Sequence, residues 1–158
     1  MRSWTVVDFG KYRGKGKTLP QILFSDPDWF FWALGQGVFK GALATEAAEL
    51  DRRARNIRVP PDENGNARDA EYLIHASAGK FGAIDLIPKT QPTHQGGSPA
   101  LRLDRIDLSV PRRIKGYDKL GYKLLIDALK FHLFGNSNAR ITKERAERFF
   151  EDDSKFIL

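Results

Sequence analysis

The residues best suited to chemistry lie in "VVDFGKYRGKGKTLP", residues 6–20. Gly16-Lys17-Thr18 is how a phosphate-binding loop ends, and an apolar, strand-like run precedes it. A nucleotide-hydrolysing loop needs Gly, four residues, then Gly-Lys-Ser/Thr, so that backbone amides curl around the phosphates. Counting back from Gly16 reaches Lys11, and Gly10 stands one residue too early. Pro20 falls where the following helix should run on. "KLLID" (123–127) imitates the metal-holding strand of such enzymes, yet its surroundings have helical periodicity, which puts Asp127 on a solvated helix face. The ATPase reading is rejected.

Phosphate contact without hydrolysis suits the same stretch better. Lys11, Arg13, Lys15 and Lys17 alternate, and an extended segment of period two projects all four from one face. Gly10, Gly14 and Gly16 remove bulk between them, and Tyr12 offers a stacking surface. The competing explanation is an edge strand whose lysines prevent sheet-to-sheet pairing. A second basic and aromatic stretch is "VPRRIKGYDKLGYK". Arg112, Arg113, Lys115, Lys119 and Lys123 precede and begin a long helix, with Tyr117 and Tyr122 among them. The amides of a helix N-terminus add capacity for anions.

Other chemistry finds less support. His75, His94 and His132 fall in a strand, a loop and a helix, without metal-ligand spacing. Glu71, Asp85, Asp104 and Asp107 lie on neighbouring strands, where a metal-dependent nuclease would place its carboxylates. Lys89 follows Asp85 by four residues, so the Asp/Glu-x-Lys pair of many nucleases is missing. The expectation is a protein without catalytic residues, cofactor or metal.

The chain has 158 residues, 41% hydrophobic and 29% charged, enough for one packed core. Its formal charge is +6, from 26 Lys+Arg against 20 Asp+Glu, which favours polyanionic partners. There is no cysteine, so disulfides and cysteine-held zinc are excluded. "MRSWTVVDF" lacks the apolar run of a signal peptide, and no stretch approaches the roughly eighteen apolar residues of a membrane span. A cytoplasmic protein that does not engage membranes is expected.

The elements that position these residues follow from periodicity and punctuation. Trp4 to Phe9 predicts a strand, and Leu19 to Phe24 a short helix with Leu19, Ile22 and Leu23 on one side. "SDPDWFFWALGQG" predicts a helix capped by Asp26, opened by Pro27 and closed by Gly35 or Gly37. At least two of its four consecutive aromatics must be buried, against Tyr12 and Leu19. Leu43 to Ile57 is a further helix with Glu46, Glu49, Arg52, Arg53 and Arg55 turned outward, and "VPPDENGN" is a linker. "EYLIHASAGKFGAIDLIP" predicts a hairpin turning at Ala78-Gly79-Lys80. "LRLDRIDLSV" alternates with a phase slip between Leu103 and Ile106, the mark of a bulge or an edge. The long helix ends at Gly135, with Leu120, Leu124, Leu125, Leu129 and Leu133 as its apolar face. A last helix starts at a Thr cap in "TKERAERFFEDD".

The whole predicts an α+β fold: a small N-terminal strand-loop-helix unit (1–40), a connecting helix and linker (41–69), then an antiparallel sheet packed by a long helix and a C-terminal helix (70–158).

"FGKYRGK" followed by "DPDWFFW" resembles the small domain at the C-terminus of exodeoxyribonuclease X-like proteins. That domain recurs in short bacterial proteins described as quorum-sensing-regulated virulence factors. Phe9, Gly10, Lys11, Tyr12, Arg13, Gly14, Asp26, Pro27 and Trp32 match the pattern; Trp29 replaces its tyrosine and Phe30 its leucine. The resemblance spans residues 5–38. In those exonucleases catalysis belongs to a separate domain with an Asp-x-Glu opening, which this chain lacks, so the activity is not carried over. What the resemblance implies is an accessory module that accompanies DNA processing.

The expected function is a non-catalytic nucleic-acid-binding or accessory protein, of the kind a mobile element or defence cluster encodes, with DNA favoured over RNA. It would contact phosphates through Lys11, Tyr12, Arg13, Lys15, Lys17, Arg112, Arg113, Lys115 and Lys119. The alternative is an interaction factor, such as a phage-type inhibitor, docking its basic face on an acidic partner or a complex that handles nucleic acid. A metal-dependent nuclease is third.

Overall fold

A computed structural model describes residues 3–75, 80–93, 100–135 and 140–158, apart from the side chains of His75 and Ala100. The fold is α+β. Helices α1 (Leu19–Ser25), α2 (Pro27–Gln36) and α3 (Ala42–Ala54) come first, then strands β1 (Ile57–Arg58), β2 (Arg68–His75), β3 (Lys80–Pro88), β4 (Ala100–Leu103) and β5 (Arg105–Ile106). Helices α4 (Val110–Lys115), α5 (Lys119–Phe134) and α6 (Lys143–Glu151) complete it. Among the described residues, no helix is long and apolar enough to cross a membrane.

Helix punctuation works as the residue types dictate. Asp26 caps α2 by accepting from the Trp29 amide, Pro27 opens it, and Gly37 closes it at φ +67°. Thr142 caps α6, and Gly135 ends α5. Helix α1 lies at the centre of the helical layer, touching α2, α3, α5 and α6. Accordingly Leu19, Ile22 and Leu23 are wholly buried, and Pro20, Gln21 and Phe24 are buried too. The Gln21 amide satisfies itself by donating to the Ile141 carbonyl at 3.0 Å. One cluster of buried side chains runs from Trp4 through α1, α2 and α3 to Phe150 and Phe156.

The sheets are antiparallel. β2 lies between β3 and β4, with Tyr72 opposite Ile84 and Leu101, and its register with β3 shifts between Leu73 and Ile74. β1 pairs with β5, and Phe156 bridges to Ile57 beside them. The phase slip after Leu103 is a change of sheet: β4 is an edge of the larger sheet, and beyond Asp104 the chain joins β1. The proposed turn at Ala78-Gly79 lies outside the described residues.

Four expectations need correction. Trp4 to Phe9 forms no strand beyond a single bridge of Val6 to Thr18. Helix α3 stops at Ala54, and Ile57 belongs to β1. Glu46 and Arg53 do not point outward. Glu46 is buried and accepts from the Thr5 amide and hydroxyl, while buried Arg53 donates to the Phe150 carbonyl and the Asp153 carboxylate. Each is a charged residue whose local helical period says surface and whose partner, far away in sequence, makes burial affordable. Finally, α5 buries Tyr122, Leu125, Ile126 and Leu129, whereas Leu120 and Leu124 are exposed.

Asp118 fastens α5 to the sheet. One carboxylate oxygen accepts from the Gly121 amide and the other from the Phe81 amide of β3, each at 2.9 Å. These amides hold its carboxyl below the usual range. A Cβ at residue 121 would collide with the Asp118 carboxylate and stand 2.8 Å from the Phe81 Cβ. Gly121→Ala is therefore expected to destabilise the protein by about 1–3 kcal/mol, seen as a lower midpoint in urea unfolding.

Candidate nucleic-acid interface

The glycine-rich stretch is a closed loop and not an extended ribbon. Its ends are tied by the Val6–Thr18 bridge and by the Val7 amide donating to the Lys17 carbonyl at 2.8 Å. Inside, Gly10–Tyr12 makes a turn of 3₁₀ helix, and a further turn returns the Lys15 amide to the Tyr12 carbonyl. Asp8 accepts from the Gly14 amide at 2.9 Å. Gly14 and Gly16 have φ of +71° and +67°, the left-handed region that other residues enter at a cost. These glycines serve the turn; the one-faced row of Lys11, Arg13, Lys15 and Lys17 does not form. Short-range i to i+3 bonds, available to any glycine-punctuated chain, outcompete an edge strand that has only one bridging neighbour.

The loop is held against α2 by Asp26. Its carboxylate accepts from Lys11 Nζ at 2.5 Å, the Tyr12 hydroxyl at 2.8 Å, the Tyr122 hydroxyl at 3.2 Å and the Trp29 amide at 3.4 Å. Burial pushes the Asp26 carboxyl up, but the bonds from Lys11 and Tyr12 outweigh it and hold it below its ordinary value. Burial, then the neighbouring Asp26, pushes the Tyr12 hydroxyl far up, so it stays a donor. The Tyr12 ring meets Trp29 edge-on, with centroids 4.8 Å apart. Tyr12 is thus packed and bonded inward, and is not available for stacking on a base.

Asp28, two residues further along the same helix start, holds the second basic stretch. Lys115 Nζ lies 2.9 Å and Arg112 Nε 3.4 Å from its two oxygens. Lys115 also rests over the Tyr122 ring at 5.1 Å. Tyr122 ties the Asp26 carboxylate to the α2 backbone: its hydroxyl donates to Asp26 and accepts from the Asp28 amide. The two basic stretches, a hundred residues apart in sequence, therefore meet at the N-terminus of α2.

Among the described residues, Arg13, Lys15, Arg113 and Lys119 are exposed and have no ion pair; Lys17 is half-buried and likewise unpaired. Lys11, Arg112 and Lys115 are held by carboxylates. Residues 11–17 and 112–119 carry eight cations, of which Lys11, Arg112 and Lys115 are paired with Asp26 and Asp28. The surface stays positive, with its paired members fixed in place. The expected anion-binding amides at the start of the long helix are not free, because Asp118 caps them; Arg112 to Lys115 belong to the separate α4.

Asp26 and Asp28 are site residues that the residue pattern did not mark; it gave Asp26 a capping role alone. A signal existed: residues 3–45 contain just three acids, Asp8, Asp26 and Asp28, among five cations. Two of the three pair with cations, and Asp8 accepts from the Gly14 amide.

The other candidates stay apart. Asp104 pairs with Arg105, and Asp107 accepts from the Ser109 amide and hydroxyl. Glu71 stands opposite Asp85 in the β2–β3 register, and Lys89 pairs with Asp69. No group of three His, Cys, Asp or Glu able to hold a metal occurs among the described residues. Thr18, in the false phosphate loop, is wholly buried and donates to Glu147 at 2.8 Å. Asp127 is on the exposed side of α5. His132 is half-buried, and burial lowers its pKa against a hydrogen bond to the Ile84 backbone. His94 and the His75 side chain lie outside the described residues.

The depressed Asp26 carboxyl has a consequence for acid stability. The unfolded chain binds its proton at an ordinary carboxylate value near 4, the folded chain only at lower pH, so between these values unfolding takes up a proton. The stabilisation is complete above the unfolded value and is lost as pH falls through the folded one. Thermal melts from pH 6 to pH 2 should show this loss below about pH 4, with a shallower acid limb in Asp26→Asn.

No family model matches the chain, and no curated protein or solved structure matches it at a significant level.

Proposed function

We propose that this protein is a non-catalytic nucleic-acid-binding or accessory protein of the cytoplasm that grips phosphates at the start of α2. The observation that supports this reading is the convergence of residues 11–17 and 112–119 on Asp26 and Asp28. Arg13, Lys15, Arg113 and Lys119 are the contacting cations, and Lys11, Arg112 and Lys115 form the positioned ground beneath them. Such contacts carry no base information, so binding is largely indifferent to sequence. The likeness of residues 5–38 to a module that accompanies DNA processing favours DNA over RNA.

The deciding experiment is a fluorescence-anisotropy titration with single- and double-stranded DNA and RNA at two salt concentrations. Four phosphates neutralised on duplex DNA give a slope of log affinity against log salt of about −4. Binding that is undetectable at low salt removes the proposal. In that case, docking of the basic face on an acidic protein becomes the better reading, because Asp28 already shows this surface taking carboxylates.

A further inference from the structure

We propose that α5 presents a docking stripe, Leu120-Leu124-Asp127-Phe131, for an amphipathic helix of another protein with an acidic flank. Leu120, Leu124 and Phe131 are 69%, 52% and 54% exposed, the most exposed large apolar side chains within any helix. They do not lie where α5 meets its own fold, since Gly121, Tyr122, Leu125, Ile126 and Leu129 make that contact. With Asp127 they recur at intervals of four, three and four, the spacing of a coiled-coil seam. Lys123 and Lys130 each precede a seam residue, Leu124 and Phe131, and so line one flank. Neither lysine, nor Asp127, has an ion pair among the described residues.

This charge arrangement selects the occupant. A second copy packed antiparallel would set the Lys123 and Lys130 flank against its own equivalent, like charge on like. Packed parallel, it would set them against the side bearing Gly121 and Ala128, which has no carboxylate and is packed on the core. An anionic lipid surface suits the lysines, but Asp127, in mid-stripe, would have to enter the headgroup boundary. A helix with leucines on its seam, Glu along the facing flank and a donor opposite Asp127 satisfies every group on the stripe. A phosphate backbone offers no apolar partner to Leu120 and Leu124, and the stripe runs along α5 away from Lys119, the last cation of the basic surface.

The test uses two labelled synthetic helical peptides of three heptads with the same leucine seam and one seam lysine, one flanked by Glu and the other by Lys. By anisotropy with the full chain at physiological salt, the Glu-flanked peptide should bind at least about tenfold tighter. Leu124→Ser with Phe131→Ser should remove binding while leaving the circular dichroism spectrum and the DNA titration unchanged, since both side chains are exposed. Lys123→Glu with Lys130→Glu should reverse the preference. Equal binding of both peptides, or binding insensitive to Leu124→Ser, overturns the proposal. So does self-association in sedimentation, or capture by phosphatidylserine vesicles, that the same double variant abolishes: these assign the stripe to a second copy or to lipid.

Discussion

Replacing Arg13, Lys15, Arg113 and Lys119 together by alanine should cost about a hundredfold or more in affinity for a DNA duplex near physiological salt. The salt slope should flatten by about one unit for each cation removed. All four side chains are exposed and none is ion-paired among the described residues, so the melting temperature should scarcely move. Asp28→Asn should act in the opposite direction. It releases Arg112 and Lys115, whose pairs with Asp28 are partly exposed and contribute little to stability. Affinity should then rise severalfold and the salt slope steepen. Opposite effects from the two variants are what a phosphate-binding surface demands. A non-specific dependence on net charge would respond equally to Asp127→Asn, on the exposed side of α5, which serves as the control.

Asp26→Ala should destabilise the fold by about 2–4 kcal/mol, which lowers the melting temperature by roughly 5–15 °C. The carboxylate ends four interactions at once: the α2 cap, the Lys11 ion pair, and the hydroxyls of Tyr12 and Tyr122. Its loss leaves the hydroxyls of half-buried Tyr12 and buried Tyr122 short of their acceptor and unties the glycine loop from α2 and α5. Loss of the cap alone would account for about 1 kcal/mol. Asp26→Asn retains an acceptor of the same shape and should fall between the wild type and Asp26→Ala. Differential scanning calorimetry of the three proteins at neutral pH checks the order. A drop no larger than that of an ordinary cap would mean the Lys11 and tyrosine contacts add nothing.

Much of the local structure could be read from residue order. Pro27 after Asp26, Thr142 and Gly135 placed helix ends correctly, and Gly37 was one of two glycines offered for the end of α2, because capping is a matter of the few residues on either side. The β2–β3 pairing and the change of phase after Leu103 were visible for the same reason, although that change proved to be a transfer between sheets. Three of the four aromatics in Trp29–Trp32 are buried, and Trp32 alone stays 46% exposed. Helical geometry required some of that burial, since four consecutive large rings surround the axis.

The site was legible only in part. That residues 11–17 and 112–119 are basic is a property of composition and needed no fold. Where those charges point depended on contacts a hundred residues apart. Tyr122 reaches Asp26, Lys115 reaches Asp28, and the loop turns on positive-φ glycines that could equally have spaced a strand. The exposed stripe of α5 belongs to the same class. Leu120, Leu124, Leu125, Leu129 and Leu133 share enough periodicity to suggest one apolar face, yet packing buries Leu125 and Leu129 with Tyr122 and Ile126 and leaves Leu120 and Leu124 in solvent. Sequence order therefore determined most of the helices, the β2–β3 pairing and the net positive charge, since these arise from neighbours along the chain, but not the Trp4–Phe9 segment or the end of α3. Which cations remain free, which carboxylates restrain the others and which leucines face solvent was decided by tertiary packing, because burial and ion pairing depend on what distant segments bring to the same place.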